Sequence, residues 1–188
     1  MRAPTFATTR SRRLLGAAVL VGLTLLSLGA YRLARTLTDS PLFLTFGYVG
    51  VFLLTMSCSA TLLLPVPAFG VIAVAGSVLN PLLVGIIAGV GAATGELTGY
   101  LAGRSGRLLL DGPTPRLIER LRGLVERHGF LTLFVLSAIP NPLFDLAGLT
   151  AGSTGYSPRR YWIAVALGKA TIYTVIALAG EAIMPLLS

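Results

Sequence analysis

The sequence predicts an all-α integral membrane protein. The expected order is an N-terminal transmembrane helix, then an inverted repeat of two proline-broken re-entrant helical hairpins, each followed by a transmembrane helix. Three observations lead there. The 188 residues are 54% hydrophobic and 12% charged, with a mean hydropathy of +0.82, and a soluble domain carries about twice that charged fraction. Apolar stretches of roughly 18 or more residues recur, the length of a membrane helix. A pair of prolines one residue apart occurs twice, at an offset of 75 residues and with the same features following each time.

Residues 1–40 combine a short basic N-terminus with the first apolar run, Leu14 to Tyr31. The segment Ser11-Arg12-Arg13-Leu14-Leu15-Gly16 has some likeness to a twin-arginine export signal, and Leu28-Gly29-Ala30 to a cleavage site. An uncleaved span is the expectation, because everything downstream is also apolar. Pro41 to Leu79 runs 39 residues without a charge and is broken by Pro65-Val66-Pro67. Each proline removes an amide donor and disfavours helix at the residue before it. Carbonyls freed in this way cannot face lipid, so the break must be packed in protein or line a wet cavity.

Asn80-Pro81 signals a turn, and residues 81–103 form a clean span interrupted only by Glu96. The long polar loop, 104–129, contains an amphipathic helix with Thr114 as cap and Pro115 at its first position. Leu117, Leu121, Leu124 and Val125 line one face, arginines surround it, and Gly129 is expected to close it. Such a helix suits an anionic membrane surface. Residues 130–155 repeat the broken-hairpin pattern at Pro140-Asn141-Pro142. Ser157-Pro158 is a second turn, and residues 161–187 form the last span, interrupted by Lys169.

The repeat reads Pro65-Val66-Pro67-Ala68-Phe69 against Pro140-Asn141-Pro142-Leu143-Phe144, then Gly95-Glu96 with Tyr100 against Gly168-Lys169 with Tyr173. With a cytoplasmic N-terminus, twelve arginines face inward and only Arg32 and Arg35 face outward, as the positive-inside rule requires. The 104–129 loop is then cytoplasmic, and the two hairpins enter from opposite faces. The expected location is a prokaryotic plasma membrane.

Glu96, Asp145 and Lys169 are the ionisable residues well inside apolar segments. Each costs about 2.5–3.5 kcal/mol on insertion scales. Glu96 precedes Arg104 by eight residues and Lys169 follows Arg160 by nine, which puts both roughly 12–14 Å from one boundary. A Glu96–Lys169 pair follows from equal depth, with Asp145 near the second bend able to join it. Asn141 can satisfy backbone groups freed by its flanking prolines, or contact a headgroup.

The basic balance, fifteen Lys and Arg against seven Asp and Glu, does not point to nucleic acid, because the arginines sit at the ends of apolar runs. Cys58 is the one cysteine and cannot form an intramolecular disulfide. With one His, no Gly-x-Ser-x-Gly and no metal-ligand cluster in the sequence, an enzyme, a metal site and a cofactor are not expected. A homo-oligomer remains open.

Ile139-Pro-Asn-Pro-Leu-Phe-Asp-Leu-Ala-Gly148, followed by Gly168-Lys169-Ala170, resembles the signature of the VTT-domain family, also called the DedA or SNARE-associated Golgi protein superfamily. The likeness is to its vacuole membrane protein branch. Gly95-Glu96-Leu97, with Tyr100 and Arg104, resembles that branch's other segment, and the likeness extends over Pro41 to Leu187. The resemblance implies two opposed re-entrant hairpins bent at Pro65, Pro67, Pro140 and Pro142, and it implies movement of membrane phospholipids. The bacterial pattern has an acidic residue after the first hairpin's proline and arginines flanking the second's. Here those neighbourhoods read Pro67-Ala68-Phe69-Gly70 and Ser137-Ala138-Ile139-Pro140. The resemblance therefore implies an energy-independent scramblase, with Glu96, Tyr100, Pro140, Asn141, Pro142, Asp145 and Lys169 along the headgroup path. A proton- or ion-coupled transporter of a lipid phosphate such as undecaprenyl phosphate, and a non-transporting assembly protein, are the competing readings.

Overall fold

The computed structural model describes residues 41–60, 68–106, 116–140 and 143–183. The first apolar run, Thr114, Pro115, Asn141 and three of the four expected bend prolines (Pro65, Pro67 and Pro142) lie outside them. Among the described residues all regular structure is helical. The elements are α1 (Pro41–Ala60), α2 (Ala68–Val78), α3 (Pro81–Arg104), α4 (Arg116–Ala138), α5 (Leu143–Ser153) and α6 (Pro158–Ile183).

Local chemistry sets the ends. Asn80 caps α3: its side-chain oxygen accepts hydrogen bonds from the amides of Leu82 (3.1 Å) and Leu83 (3.2 Å), and Pro81 at the first helical position has no amide to leave unpaired. The Asn80 amide donates to the Tyr48 hydroxyl at 3.2 Å, which ties this turn to α1. At the end of α5, Tyr156 N–H donates to Ala151 O (3.1 Å) and Gly155 N–H to Gly152 O (3.1 Å), with Gly155 at φ +70°. This is a Schellman cap, whose left-handed position favours glycine. Gly155→Ala should lower stability by about 1–2 kcal/mol, read as a lowered melting temperature in detergent.

α3 and α6, with 24 and 26 residues, are each long and apolar enough to cross a membrane. Helices of about this length extend roughly 36–39 Å, enough for a hydrocarbon core of about 30 Å. They pack on each other through close backbone approaches. A Cβ at Gly89 would lie 2.5 Å from the Ala170 nitrogen, and one at Gly85 2.5 Å from the Thr174 Cα. Small residues at such crossings let membrane helices associate by close packing.

The interrupted segments flank this central pair in a matched way. α1 packs on α3 and α4 packs on α6, while α2 crosses to α6 and α5 crosses to α3. Two core clusters result. One joins Val51, Ile72, Val84, Ala88 and Tyr173 from α1, α2, α3 and α6. The other joins Tyr100, Leu133, Phe144, Ala151 and Tyr161 from α3, α4, α5 and α6. The outer surface is apolar: Phe46, Leu82, Leu101, Leu131 and Val175 are each more than half exposed, whereas Glu96, Thr55, Ser137 and Thr150 are buried. Large apolar side chains facing outward, with these few polar groups turned into an apolar interior, suit lipid as solvent.

α4 is interrupted where the sequence predicts the amphipathic helix to end. His128, beside Gly129, has a non-helical backbone (φ −137°, ψ 43°), and a second helical run continues directly from this kink to Ala138. Two contacts make this possible. The Thr132 hydroxyl donates to the Leu124 carbonyl across the kink at 3.2 Å. At Gly129 the Tyr156 ring occupies the space of a side chain, with ring carbons 3.0 Å from an added Cβ. The expected apolar face also divides. Leu121 and Val125 are buried, while Leu117 and Leu124 are 41% and 49% exposed, so the helix presents apolar residues both to the core and outward. The last span begins at Pro158, three residues before the expected start, because the proline opens α6 itself.

Candidate functional site

The Glu96 and Lys169 side chains meet midway along the α3–α6 crossing. Lys169 Nζ lies 3.1 Å from Glu96 Oε1, with 18% and 10% of the two side chains exposed. Gly95 and Gly168, the preceding residues, explain the depth of the pair. A Cβ at Gly95 would lie 2.9 Å from the Ala60 nitrogen at the end of α1; one at Gly168 would lie 2.5 Å from the Phe134 carbonyl oxygen and 3.0 Å from the Ala138 nitrogen at the end of α4. Glycine lets each outer helix press against the central one directly beside its charge.

The broken ends converge on this pair. From the first segment, the Thr98 hydroxyl donates to the Ala60 carbonyl (3.1 Å), one of the last acceptors of α1. Ser59 at the end of α1 is close enough to interact with the Tyr173 side chain, whose ring meets Phe69 edge-on at 6.0 Å. From the second segment, Phe144 at the start of α5 sits under the lysine, with Nζ 4.9 Å from the ring centroid. Such a cation–π contact stabilises an ammonium removed from water. Phe69 and Phe144 are the residues matched by the sequence repeat.

Asp145 follows Phe144 in the first turn of α5 and is partly buried. It lies within electrostatic range of both Lys169 and Glu96. The positive end of the α5 dipole also favours a carboxylate there. The expected grouping of the three charges is therefore present, with Glu96 and Lys169 in direct contact and Asp145 beside them. Pro140 is exposed at the end of the second segment's first half.

Tyr100 is fully buried, and its hydroxyl is committed. It donates to the Tyr156 carbonyl at 2.5 Å and accepts from Arg104 Nη1 at 3.0 Å. Its ring rests against Tyr161 with centroids 4.9 Å apart. The Tyr161 hydroxyl in turn reaches the Glu96 backbone carbonyl at 3.4 Å, and Trp162 Nε1 donates to the Thr94 hydroxyl at 3.3 Å. Sequence reasoning missed Ser59, Tyr161 and Trp162. The aromatic pair at the start of the last span was the available signal for the latter two.

The VTT domain family matches this chain over residues 66–182. That stretch contains α2 to α6 except the final residue of α6, and with them the whole charged site. The chain belongs to the VTT-domain family. Similar proteins include vacuole membrane protein KMS1 of Arabidopsis thaliana, 43% identical over 51 residues, 27% of this chain and 12% of that protein. The vacuole membrane protein 1 homolog of Dictyostelium discoideum is 38% identical over 61 residues, 32% of this chain and 15% of the relative. Vacuole membrane protein 1 of Bos taurus is 40% identical over 52 residues, 28% and 13% of the two chains. The matched stretches thus span less than a sixth of these relatives. No solved structure matches the chain. The resemblance read from the second bend and the Gly-Lys segment is borne out, and the VTT-domain protein is an integral membrane protein. The relatives are vacuole membrane proteins of eukaryotes, so the expectation of a prokaryotic plasma membrane finds no support in them.

Proposed function

We propose that this VTT-domain protein is a passive lipid scramblase. Phospholipid headgroups slide past Glu96, Asp145 and Lys169, with Asn141 and the flanking Pro140 and Pro142 at the second bend, while the acyl tails stay in the bilayer. The observation that carries the reading is the convergence of both interrupted segments on one cluster of two carboxylates and an ammonium. A zwitterionic headgroup brings a cation and an anion together, and a Glu–Lys–Asp group offers a partner to each. Discontinuous helices that meet at polar sites recur in membrane transporters. The matched packing of α1 with α3 and of α4 with α6 supports an inverted repeat. In it, the hairpins enter from opposite faces and the N-terminus and 104–129 loop are cytoplasmic.

Asp145 is the residue to test, because Glu96 already balances Lys169. Asp145→Asn keeps the shape and one acceptor but removes the charge. Reconstituted into liposomes, this variant should insert and fold normally and expose fluorescent lipid to a membrane-impermeant quencher about tenfold more slowly than wild type, a loss of roughly 1.4 kcal/mol at the barrier. A proton gradient should alter neither rate. Wild-type rates in Asp145→Asn would reduce the carboxylate to a helix-dipole partner, and a strong gradient dependence would favour an ion-coupled transporter.

A further inference from the structure

Away from the charge cluster, an open cleft of about 480 Å³ lies where the α4 kink meets the turn between α5 and α6. Its walls differ in chemistry. Arg127, His128 and Arg160 are exposed and line one part. Phe130 and Leu131 line another and are 43% and 60% exposed. The cleft therefore sits at the boundary between the basic half of α4 and its apolar continuation, the level of lipid headgroups.

The charges inside it do not cancel. Glu126 is the one acidic lining residue, and it is drawn toward Arg122 on the same helix at 3.9 Å. Arg127 and Arg160 come from different elements and line one space. Tyr156 lies between those elements; burial pushes its phenol up, and the neighbouring Arg160 cation opposes that rise. The kink is what opens the space. Irregular backbone near a bilayer is retained where it lines a polar cavity, and here the Thr132 hydroxyl and the Tyr156 ring hold it in place.

We propose that this cleft binds the phosphate group of an anionic lipid from the leaflet against which α4 lies. Two guanidinium groups match phosphate oxygens with paired, charge-assisted hydrogen bonds. The exposed Phe130 and Leu131 give the acyl chains of the same molecule an apolar exit, which a free phosphate does not need. The site is separate from the transport path and requires only that the chain be membrane-embedded.

The test uses the full chain in a neutral detergent at fixed ionic strength. Its melting temperature is followed against dioctanoyl phosphatidic acid, dioctanoyl phosphatidylcholine and inorganic phosphate. Phosphatidic acid should give a saturable rise, and Arg127→Gln with Arg160→Gln should weaken its apparent affinity by about tenfold or more. Arg116→Gln with Arg120→Gln removes the same amount of charge from the part of α4 outside the cleft and should leave the affinity unchanged. If the first pair lowers the unliganded melting temperature, Arg127→Lys with Arg160→Lys carries the test. It keeps the charge, loses the paired contact and should still weaken binding several-fold. Equal weakening by both Gln pairs, no saturable rise, unchanged affinity in the Lys pair, or inorganic phosphate binding as tightly as phosphatidic acid would each overturn the proposal.

Discussion

Lys169→Ala should lower the stability of the folded chain by about 3–5 kcal/mol, the cost of leaving one partner of a buried ion pair uncompensated. The Glu96 carboxylate would keep its place between α3 and α6 with only 10% of its side chain exposed. The Phe144 ring would also lose the cation 4.9 Å above it. The cost is therefore one of stranded charge, with a smaller part from lost packing. Glu96→Gln with Lys169→Met separates the two, because it removes both charges and nearly preserves volume. The double variant should recover much of the lost stability, as replacement of a whole buried pair by neutral groups often does. Denaturant titration of the three proteins in one detergent reads this directly. A double variant no more stable than Lys169→Ala would show that the two residues are not energetically coupled.

Gly89→Ala should cost about 2–3 kcal/mol, although alanine is the better helix former. Its Cβ would lie 2.5 Å from the Ala170 nitrogen and 2.6 Å from the Ala170 Cα. Those are backbone atoms on a helix held from two other sides by α2 and α4, so they cannot yield as a side-chain tip would. α6 would have to move next to Lys169, and the ion pair would be disturbed with the crossing. Gly99 on the same helix has open space where its Cβ would go. Gly99→Ala should therefore be neutral or stabilising by up to about 1 kcal/mol. Equal effects at the two positions would mean that close α3–α6 packing does not hold the fold together.

The long spans were legible because their signals are local. Asn80-Pro81 names the start of α3, and an apolar run ending at Arg104 names its finish. The Glu96–Lys169 contact was legible for a different reason. Two charges at equal depth on adjacent antiparallel spans have few other places to go, and a membrane makes solitude expensive. The direct continuation of α4 past its break was not legible. A glycine after a polar helix reads as a stop, and only the distant Tyr156 ring and the Thr132 hydroxyl turn it into a joint. Ser59 beside Tyr173 was hidden as well, since no periodicity links residues so far apart. The cleft between Arg127 and Arg160 is likewise a product of two turns meeting in space.

The central claim is that this charged crossing lets lipids equilibrate between leaflets. The most direct measurement reconstitutes the purified full chain into liposomes carrying a trace of headgroup-labelled phospholipid and adds a membrane-impermeant reductant. In protein-free vesicles about half of the label, the outer-leaflet share, is quenched. With the protein present, quenching should approach completion without any ion gradient and faster at higher protein-to-lipid ratio. A signal that stays at the protein-free level with correctly inserted protein would contradict the account.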